Sequence, residues 1–326
     1  MSTKLRANKV MQPLFRLYDW FMMKTGLFAL KKKIKHHFFL RSLLREDAAL
    51  KRQVAHEIEQ LPFNMLHRKN DASDVIVSLT SYGKRVSDSV PYAIYSIFKQ
   101  SILPNRIVLW LDKDNWNDDN LPYLLKRLKQ SGLEIYYCED IRSYKKILPS
   151  LRKFSNNPIV TFDDDFYFNA NYLQWLLETY SQSDKKTVIG GWGCSPVMQD
   201  GKYLHVDKWV DCKKAGSDAP IMLFTGYGTL YPPHVFDGEI CNKEIFQKLC
   251  PTADDIWCWA MEERQHVKRE YIPYKGYGHH RPIDRIYDYD IAGDGCLTIE
   301  NVLGGQNDVQ LRKLLEYYHL GEMTEF

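Results

Sequence analysis

The chain has no C-x-x-C pair, no apolar run long enough to cross a bilayer and no EF-hand loop. Each absence removes a class of protein. Seven cysteines, Cys138, Cys194, Cys212, Cys241, Cys250, Cys258 and Cys296, are scattered and leave an odd one over, so a reduced, cytoplasmic setting is the expectation. The most apolar stretch, Leu14 to Leu30, is broken by Arg16, Asp19 and Lys24, which makes it too polar to span. Met1 to Pro13 is polar and no cleavage site follows an apolar core, so no secretory signal is expected. A hydrophobic content of 44% excludes a disordered chain, and 326 residues suffice for one large domain or two modest ones.

What is present is unevenly charged. The net charge is only +3, yet residues 1–52 carry thirteen Lys/Arg against three acids, which leaves the remainder net acidic. Within this arm Leu14, Leu17, Tyr18, Phe21, Met22 and Phe28 share a helical face, followed by "KKKIKHHFFLR" at 31–41. An amphipathic helix beside a polybasic run suits an anionic membrane surface, here through residues 14–41. The competing reading is a terminal arm packed on its own domain or on another subunit.

From residue 74 short β-rich runs alternate with helical ones. "DVIVSLT" (74–80), "RIVLWL" (106–111), "LEIYYC" (133–138) and "PIVTF" (158–162) read as strands; 90–101, 121–132 and 143–154 read as helices, and a last helix falls near 307–318. Near-continuous apolar strands separated by helices predict an α/β fold with a mostly parallel central sheet. Ligands then bind outside the carboxyl ends of the strands. The residues there are Thr80 to Arg85, Asp112 to Asp114, Glu139-Asp140 and Asp163-Asp164-Asp165.

Three adjacent aspartates repel one another and ask for positive charge. A hard divalent cation prefers such oxygens and is commonly shared with substrate phosphates. Alternation along an extended backbone would turn Asp163 and Asp165 to one side and Asp164 to the other; a solvated acidic turn is the plainer alternative. Three later stretches bear on the same chemistry. "FTGYGTLYPPHVF" (224–236) sets Gly226 and Gly228 about Tyr227, where backbone could approach a ligand, although the third glycine of a dinucleotide fingerprint is missing. "CPTADDIWCWAMEE" (250–263) places Asp254 and Asp255 at a helix start, as caps or as reactive acids. "YKGYGHHRP" (274–282) offers His279 and His280 as metal ligands or as structural histidines.

In order, "VSLTSYGKR", "IVLWLD", "CEDIRSYKKILPSL", "IVTFDDDFYF", "TGYGTLYPP" and "ADDIW" resemble the GT-A-fold glycosyltransferases of bacterial capsule and lipopolysaccharide biosynthesis, over residues 74–318. The resemblance implies a Rossmann-like sheet whose D-x-D motif, here Asp163 and Asp165 with Asp164 between, grips Mn²⁺ or Mg²⁺ and a nucleotide-sugar diphosphate. It implies that Thr80, Tyr82 and Arg85 line the nucleotide pocket, that Asp140 approaches the base, and that Lys145 serves base or phosphates. Gly226, Tyr227 and Gly228 would border the donor sugar, Asp254 or Asp255 would act as base, and His279 or His280 would complete the metal site. The expected activity is metal-dependent, inverting transfer from a UDP-sugar to a glycan or lipid-linked oligosaccharide. The expected organisation is a basic helical extension (1–70) before the catalytic domain (71–326), cytoplasmic or peripheral on the inner membrane face, with no nucleic-acid partner. The rivals are a metal-dependent phosphohydrolase or nuclease, and a catalytically silent glycan-binding protein of the same fold.

Overall fold

A computed structural model describes residues 27–66, 73–216, 219–272, 280–285, 297 and 299–325. Residues 14–26 of the basic arm, His279 and Cys296 lie outside the described residues. The chain forms two compact units, one of residues 1–50 with 284–290, the other of 51–283 with 291–326. Among the described residues no helix is long and apolar enough to cross a membrane.

In the smaller unit, helix α1 (Leu27–Glu59) begins; its last turns belong to the larger unit. It runs well past the polybasic segment, because long side chains with good helix propensity fill it and no Pro or Gly interrupts it after Leu27. Leu43 and Asp47 are buried, and Asp47 takes Arg285 Nε at 2.7 Å and the Arg285 backbone N–H at 2.9 Å. In the larger unit Val54 and Ile58 are buried, and Arg127 donates to the carbonyls of Glu59 and Leu61.

The larger unit is built on a seven-stranded sheet. Its strands are β1 (Ile76–Thr80), β2 (Arg106–Asp112), β3 (Leu133–Cys138), β4 (Ile159–Phe162), β6 (Val188–Gly190), β7 (Tyr227–Tyr231) and β8 (Arg269–Tyr271), in the order β8-β6-β7-β4-β1-β2-β3. Between β4 and β6 in sequence, β5 (Phe166–Phe168) pairs antiparallel with β9 (His280–Pro282) outside this sheet. Only β7 runs against its neighbours; every other pairing in the sheet is parallel. All four residues of β4 are buried, and so are the first four of β1. That is why both read as near-continuous apolar runs, interrupted only by small hydroxyl residues, Ser78 and Thr80 in β1 and Thr161 in β4.

The flanking helices follow from their sequences. α2 (Val90–Phe98) has Pro91 in its first turn and is buried at all but one position; α3 (Tyr123–Ser131) ends at Gly132, whose φ of 118° an L side chain rarely adopts. The helix expected over 143–154 is two pieces, a 3-10 turn (Arg142–Lys146) and α4 (Leu148–Lys153). Pro149 explains the break, since it lacks an N–H and sits comfortably only in a first turn. α5 (Tyr172–Gln182), α6 (Lys243–Leu249), α7 (Asp254–Arg264) and α8 (Gln306–Tyr318) complete the set the site depends on. α7 is buried from Ile256 to Glu262, and its Trp257 and Trp259 belong to a large hydrophobic core.

The connections decide where a ligand can enter. β1, β2 and β3 step outward in one direction, and the chain then returns to lay β4 on the other side of β1. The loops leaving β1 and β4 therefore part company, and their carboxyl ends border a crevice. The aspartates at 163–165 leave β4 at that point.

Candidate active site

Each aspartate of the triplet is held differently. Asp163 accepts from Lys146 Nζ at 2.7 Å through Oδ1. Asp164 is buried and takes Ser81 Oγ at 2.5 Å and Arg85 Nη1 at 2.8 Å, while Asp165 shares the same Arg85 nitrogen at 2.9 Å. Simple alternation is thus not observed: Asp164 and Asp165 are clamped together by one guanidinium, and Asp163 turns to a lysine. Burial disfavours the charge on Arg85, but Asp164 and Asp165 more than offset it and hold the guanidinium firmly protonated.

Lys146 joins the triplet to α7. Its Nζ also lies 3.1 Å from Asp254 Oδ2, and although its burial opposes ionisation, Asp163, Asp254 and Asp255 keep it charged. Lys146 is set in place from behind, because Ser78 of β1 donates to its carbonyl at 2.6 Å and also contacts Ser150 Oγ at 2.7 Å. Trp110 Nε1 donates to that same Ser150 at 2.7 Å.

Asp254 and Asp255 open α7, preceded by Ala253, and neither side chain caps the helix. Both turn instead to Thr225. Its backbone N–H donates to Asp255 Oδ1 at 2.6 Å, and its hydroxyl lies 2.8 Å from Asp254 Oδ2 and 2.7 Å from Asp255 Oδ1. One hydroxyl proton can serve only one carboxylate at a time. Burial would raise Asp254, but Lys146 overrides it and holds that carboxyl below its usual range. Asp255 lacks such a partner; burial and the neighbouring Asp254 push it up to about 7. Two adjacent acids are thereby separated into a fixed anion and a group that exchanges its proton near neutrality.

Five carboxyls, Asp163, Asp164, Asp165, Asp254 and Asp255, face two cations, Arg85 and Lys146, so negative charge is left uncompensated. Burial first, and then Asp164 and Asp163 against the opposing Arg85, push Asp165 up to about 7. Within the triplet two oxygens accept no side-chain hydrogen bond among the described residues: Asp165 Oδ1 is buried without a partner, and Asp163 bonds through Oδ1 alone. Carboxylate oxygens left this way suit a hard divalent cation, which takes one or two carboxylates and fills its remaining positions with phosphate oxygens or water. The protein side alone does not make a full cage: among the described residues no group of three His, Cys, Asp or Glu is arranged to hold a metal. The residues fit an ion that is shared with a ligand.

The glycine-flanked tyrosine closes the site. A Cβ on Gly226 would fall 1.8 Å from Asp163 Oδ2, and the Gly226 carbonyl accepts the Asp163 backbone N–H at 2.6 Å. Gly228 has φ of 80° and its added Cβ would strike the Tyr172 ring. Tyr227 lies between the two acid groups; burial and the carboxylates of Asp163, Asp165 and Asp255 push its phenol well up, so it stays a proton donor. Gly226→Ala should therefore displace the Asp163 carboxylate. The expected result is a loss of about 1–3 kcal/mol in chemical denaturation; an unchanged unfolding midpoint would contradict this contact.

Other expected residues are placed as follows. Thr80 Oγ1 donates to the Trp110 carbonyl at 2.8 Å, and Tyr82 is exposed with the Arg85 guanidinium 5.4 Å from its ring centre. Lys145 is buried and ion-paired with Asp140, so the lysine that reaches the acid cluster is Lys146, which the sequence reading passed over. Thr225 is a further residue the sequence does not single out, and Ser81 falls within the Thr80 to Arg85 stretch without a role of its own there. Both lysines of the adjacent "KK" are buried, and the 3-10 turn decides which of them reaches the acid cluster. His280 sits among aromatic rings, 4.7 Å from Phe166, 4.7 Å from Trp192 and 4.8 Å from Tyr227 between ring centres. Two surface hollows of about 360 Å³ each, one beside Thr187 and Lys268 and one beside Phe154 and His234, include none of the five acids. The acids gather at the carboxyl end of β4 and the start of α7, not in those hollows.

No protein-family model matches the chain, and no curated protein matches it. Solved structures similar to it include a cytidylyltransferase from Leptospira borgpetersenii serovar Hardjo-bovis, at 11% identity and a TM-score of 0.40, covering 72% of this chain and 95% of that one. A 4-diphosphocytidyl-2C-methyl-D-erythritol synthase from Anaerococcus prevotii has 10% identity and a TM-score of 0.41, covering 62% and 89%. A CMP:2-keto-3-deoxy-manno-octonic acid synthetase complexed with CTP has 9% identity and a TM-score of 0.41, covering 72% and 100%. Likenesses at this level assign the chain to no family and no activity; its own sheet is what defines it as an α/β protein with a mostly parallel core.

Proposed function

We propose that this protein is a divalent-metal-dependent glycosyltransferase that moves a sugar from a nucleotide-sugar, with UDP as the nucleotide implied by the sequence resemblance, to a glycan or lipid-linked acceptor hydroxyl. The observation that carries the reading is the pairing of two open carboxylate oxygens, Asp163 Oδ2 and Asp165 Oδ1, with an acid excess at the sheet's switch point and a neutral-range carboxyl, Asp255, close by. Mn²⁺ or Mg²⁺ held by Asp163 and Asp165 would stabilise the charge that develops on a leaving nucleoside diphosphate. Arg85 and Lys146 keep those aspartates in place and set a positive flank toward the phosphates. Tyr82, exposed above Arg85, offers a flat face to the nucleotide base. Asp255 takes the acceptor proton as the new bond forms, on the side opposite the leaving group, which inverts the anomeric centre. Asp254 is ion-paired and buried, and so positions Lys146 instead.

The reading is tested by incubating the protein with Mn²⁺ and a panel of UDP-sugars and acceptors. Acceptor-dependent UDP release is the expected result. Phosphate release from simple esters would indicate a phosphohydrolase, pyrophosphate release from CTP and a sugar would indicate nucleotidyl transfer, and no turnover would indicate a binding protein. Any of these three would overturn the assignment.

The basic extension, within the proposed 1–70 segment, would bring such an enzyme to a lipid-linked acceptor. On the described part of α1, Ile34, Phe38, Phe39 and Leu44 are exposed beside the exposed Lys33, Lys35, Arg41 and Arg45. Apolar side chains in a basic setting suit an anionic bilayer surface. The double variant Ile34→Glu, Phe38→Glu should lose co-sedimentation with phosphatidylglycerol vesicles at low salt; parent protein that ignores those vesicles would contradict the proposal.

A further inference from the structure

At the acid cluster the Tyr227 hydroxyl neither gives nor takes a hydrogen bond among the described residues, while the Tyr227 carbonyl accepts from Tyr172 Oη at 2.6 Å. The phenol has nevertheless been set beside charge. Asp163, Asp165 and Asp255 act on it in one sense and Lys146 in the other, so it stands between the carboxylates that follow β4 and the proposed base.

Its position is specified from the backbone outward. Tyr227 pairs with Phe162, the residue before Asp163, and Thr229 pairs with Thr161, so two steps along β7 match a single step along β4. Gly228 is the extra residue, and its φ of 80° permits the bulge. On an unbroken strand Tyr227 and Thr229 would share a face, yet Thr229 is fully buried and Tyr227 is only partly so. The bulge separates them. The Tyr227 ring is then wedged, with Phe166 at 5.1 Å, Trp192 at 4.9 Å, His280 at 4.8 Å and Phe224 at 6.1 Å between ring centres. Packing of this kind holds the hydroxyl at one point. A ring needed for packing alone could as well be phenylalanine.

We infer that Tyr227 is a catalytic residue whose phenol donates a hydrogen bond to an oxygen of the leaving diphosphate. The inference rests on the transferase reading and adds a residue to it. During transfer the bond from the anomeric carbon to the diphosphate oxygen breaks as the acceptor oxygen bonds that carbon; the acceptor proton passes to Asp255 and the electron pair stays on the diphosphate. Negative charge therefore grows next to Asp163 and Asp165. A phenol stays protonated at neutral pH, so it can donate there without adding repulsion, as a further carboxylate could not. Its hydrogen bond strengthens as that charge appears, and a donor already locked in place needs no rearrangement.

Tyr227→Phe tests this with little demand on the fold, because the ring is kept and only an unpaired hydroxyl is removed. The melting temperature should match the parent's. Acceptor-dependent UDP release should fall about 10²-fold in kcat, the order seen when one oxyanion donor is lost. UDP binding with Mg²⁺, read by calorimetry, should weaken about tenfold, whereas UMP, which lacks the leaving phosphate, should bind parent and variant alike. The β-phosphorus signal of bound UDP with Mg²⁺ should also move between parent and variant in ³¹P NMR, which a packing role would not cause. Equal UDP affinity with an unmoved phosphorus signal overturns the contact, and so does a loss of affinity shared by UMP. A parent that binds UDP but transfers no sugar overturns the transferase reading and the catalytic role with it, while the UDP measurements still decide the contact.

Discussion

Lys146→Met should cost the fold about 3–5 kcal/mol, the usual consequence of stripping one partner from a buried ion pair. Methionine keeps much of the stem's volume, so the loss is of charge and not of packing. Asp163 would lose the donor 2.7 Å away, and Asp254, 6% exposed, would be left buried beside Asp255 with no cation. The pH dependence distinguishes this from a generic packing defect. In the parent, Lys146 holds the Asp254 carboxyl below the usual carboxylate range, so its share of stability is present above that range and is lost as pH falls through the depressed pKa. In the variant that carboxyl rises and protonates readily. The deficit should therefore be largest at neutral pH and shrink toward pH 4, as read by chemical denaturation. A deficit that is constant with pH would show that Lys146 matters only as a filler.

Asp255→Asn should reduce acceptor-dependent turnover by about 10²–10⁴-fold, the range associated with a positioned general base. Affinity for UDP with Mn²⁺ should hardly change, because Asp255 holds Thr225 and not the open oxygens of Asp163 and Asp165. In the parent, kcat/KM for the acceptor should rise with pH through about 7 as Asp255 loses its proton, and then level off. Stability has the opposite sign. A carboxyl raised from 3.8 to about 7 gives the folded state more bound protons between those values, so its contribution falls as pH climbs through that window. Relative to the parent, the Asn variant should gain melting temperature between pH 5 and pH 8. A variant with full turnover, or a parent profile flat through pH 7, would remove Asp255 from the base role.

Four strands of the sheet were legible because a parallel strand covered on both faces is written as a mostly apolar run, whereas β6, β7 and β8, which complete the sheet, were not read as strands. β1, β2, β3 and β4 fall where "IVSLT", "RIVLWLD", "LEIYYC" and "IVTF" lie. The acid triplet was legible for a related reason: three like charges after a buried strand have no cause in packing. Their partners were not. Arg85 reaches Asp164 across 79 positions and Ser78 reaches the Lys146 carbonyl across 68, so no local pattern announces either contact. The positive charge the triplet demands is thus supplied in part by the protein itself, by Arg85 and Lys146, with a divalent ion left to offset the excess.

The two acids of "ADDIW" show the same limit. A helix start with two aspartates reads equally as caps or as chemistry, and the answer comes from Thr225, about thirty positions upstream. His280 likewise looks like a ligand in sequence, while its register opposite Phe168 sets it among aromatic rings. The basic arm was expected as a helical extension over 1–70, and within the described residues its helix runs from Leu27 to Glu59, with Leu43, Asp47, Val54 and Ile58 buried.

Titrating UDP into the protein by calorimetry, with and without Mn²⁺, addresses the central electrostatic claim most directly. Binding should strengthen at least tenfold when Mn²⁺ is present and lose that gain in Asp163→Asn, Asp165→Asn. Equal affinity with and without the ion, or a gain that survives the double substitution, would mean that the uncompensated carboxylates at the end of β4 do not hold a metal–diphosphate.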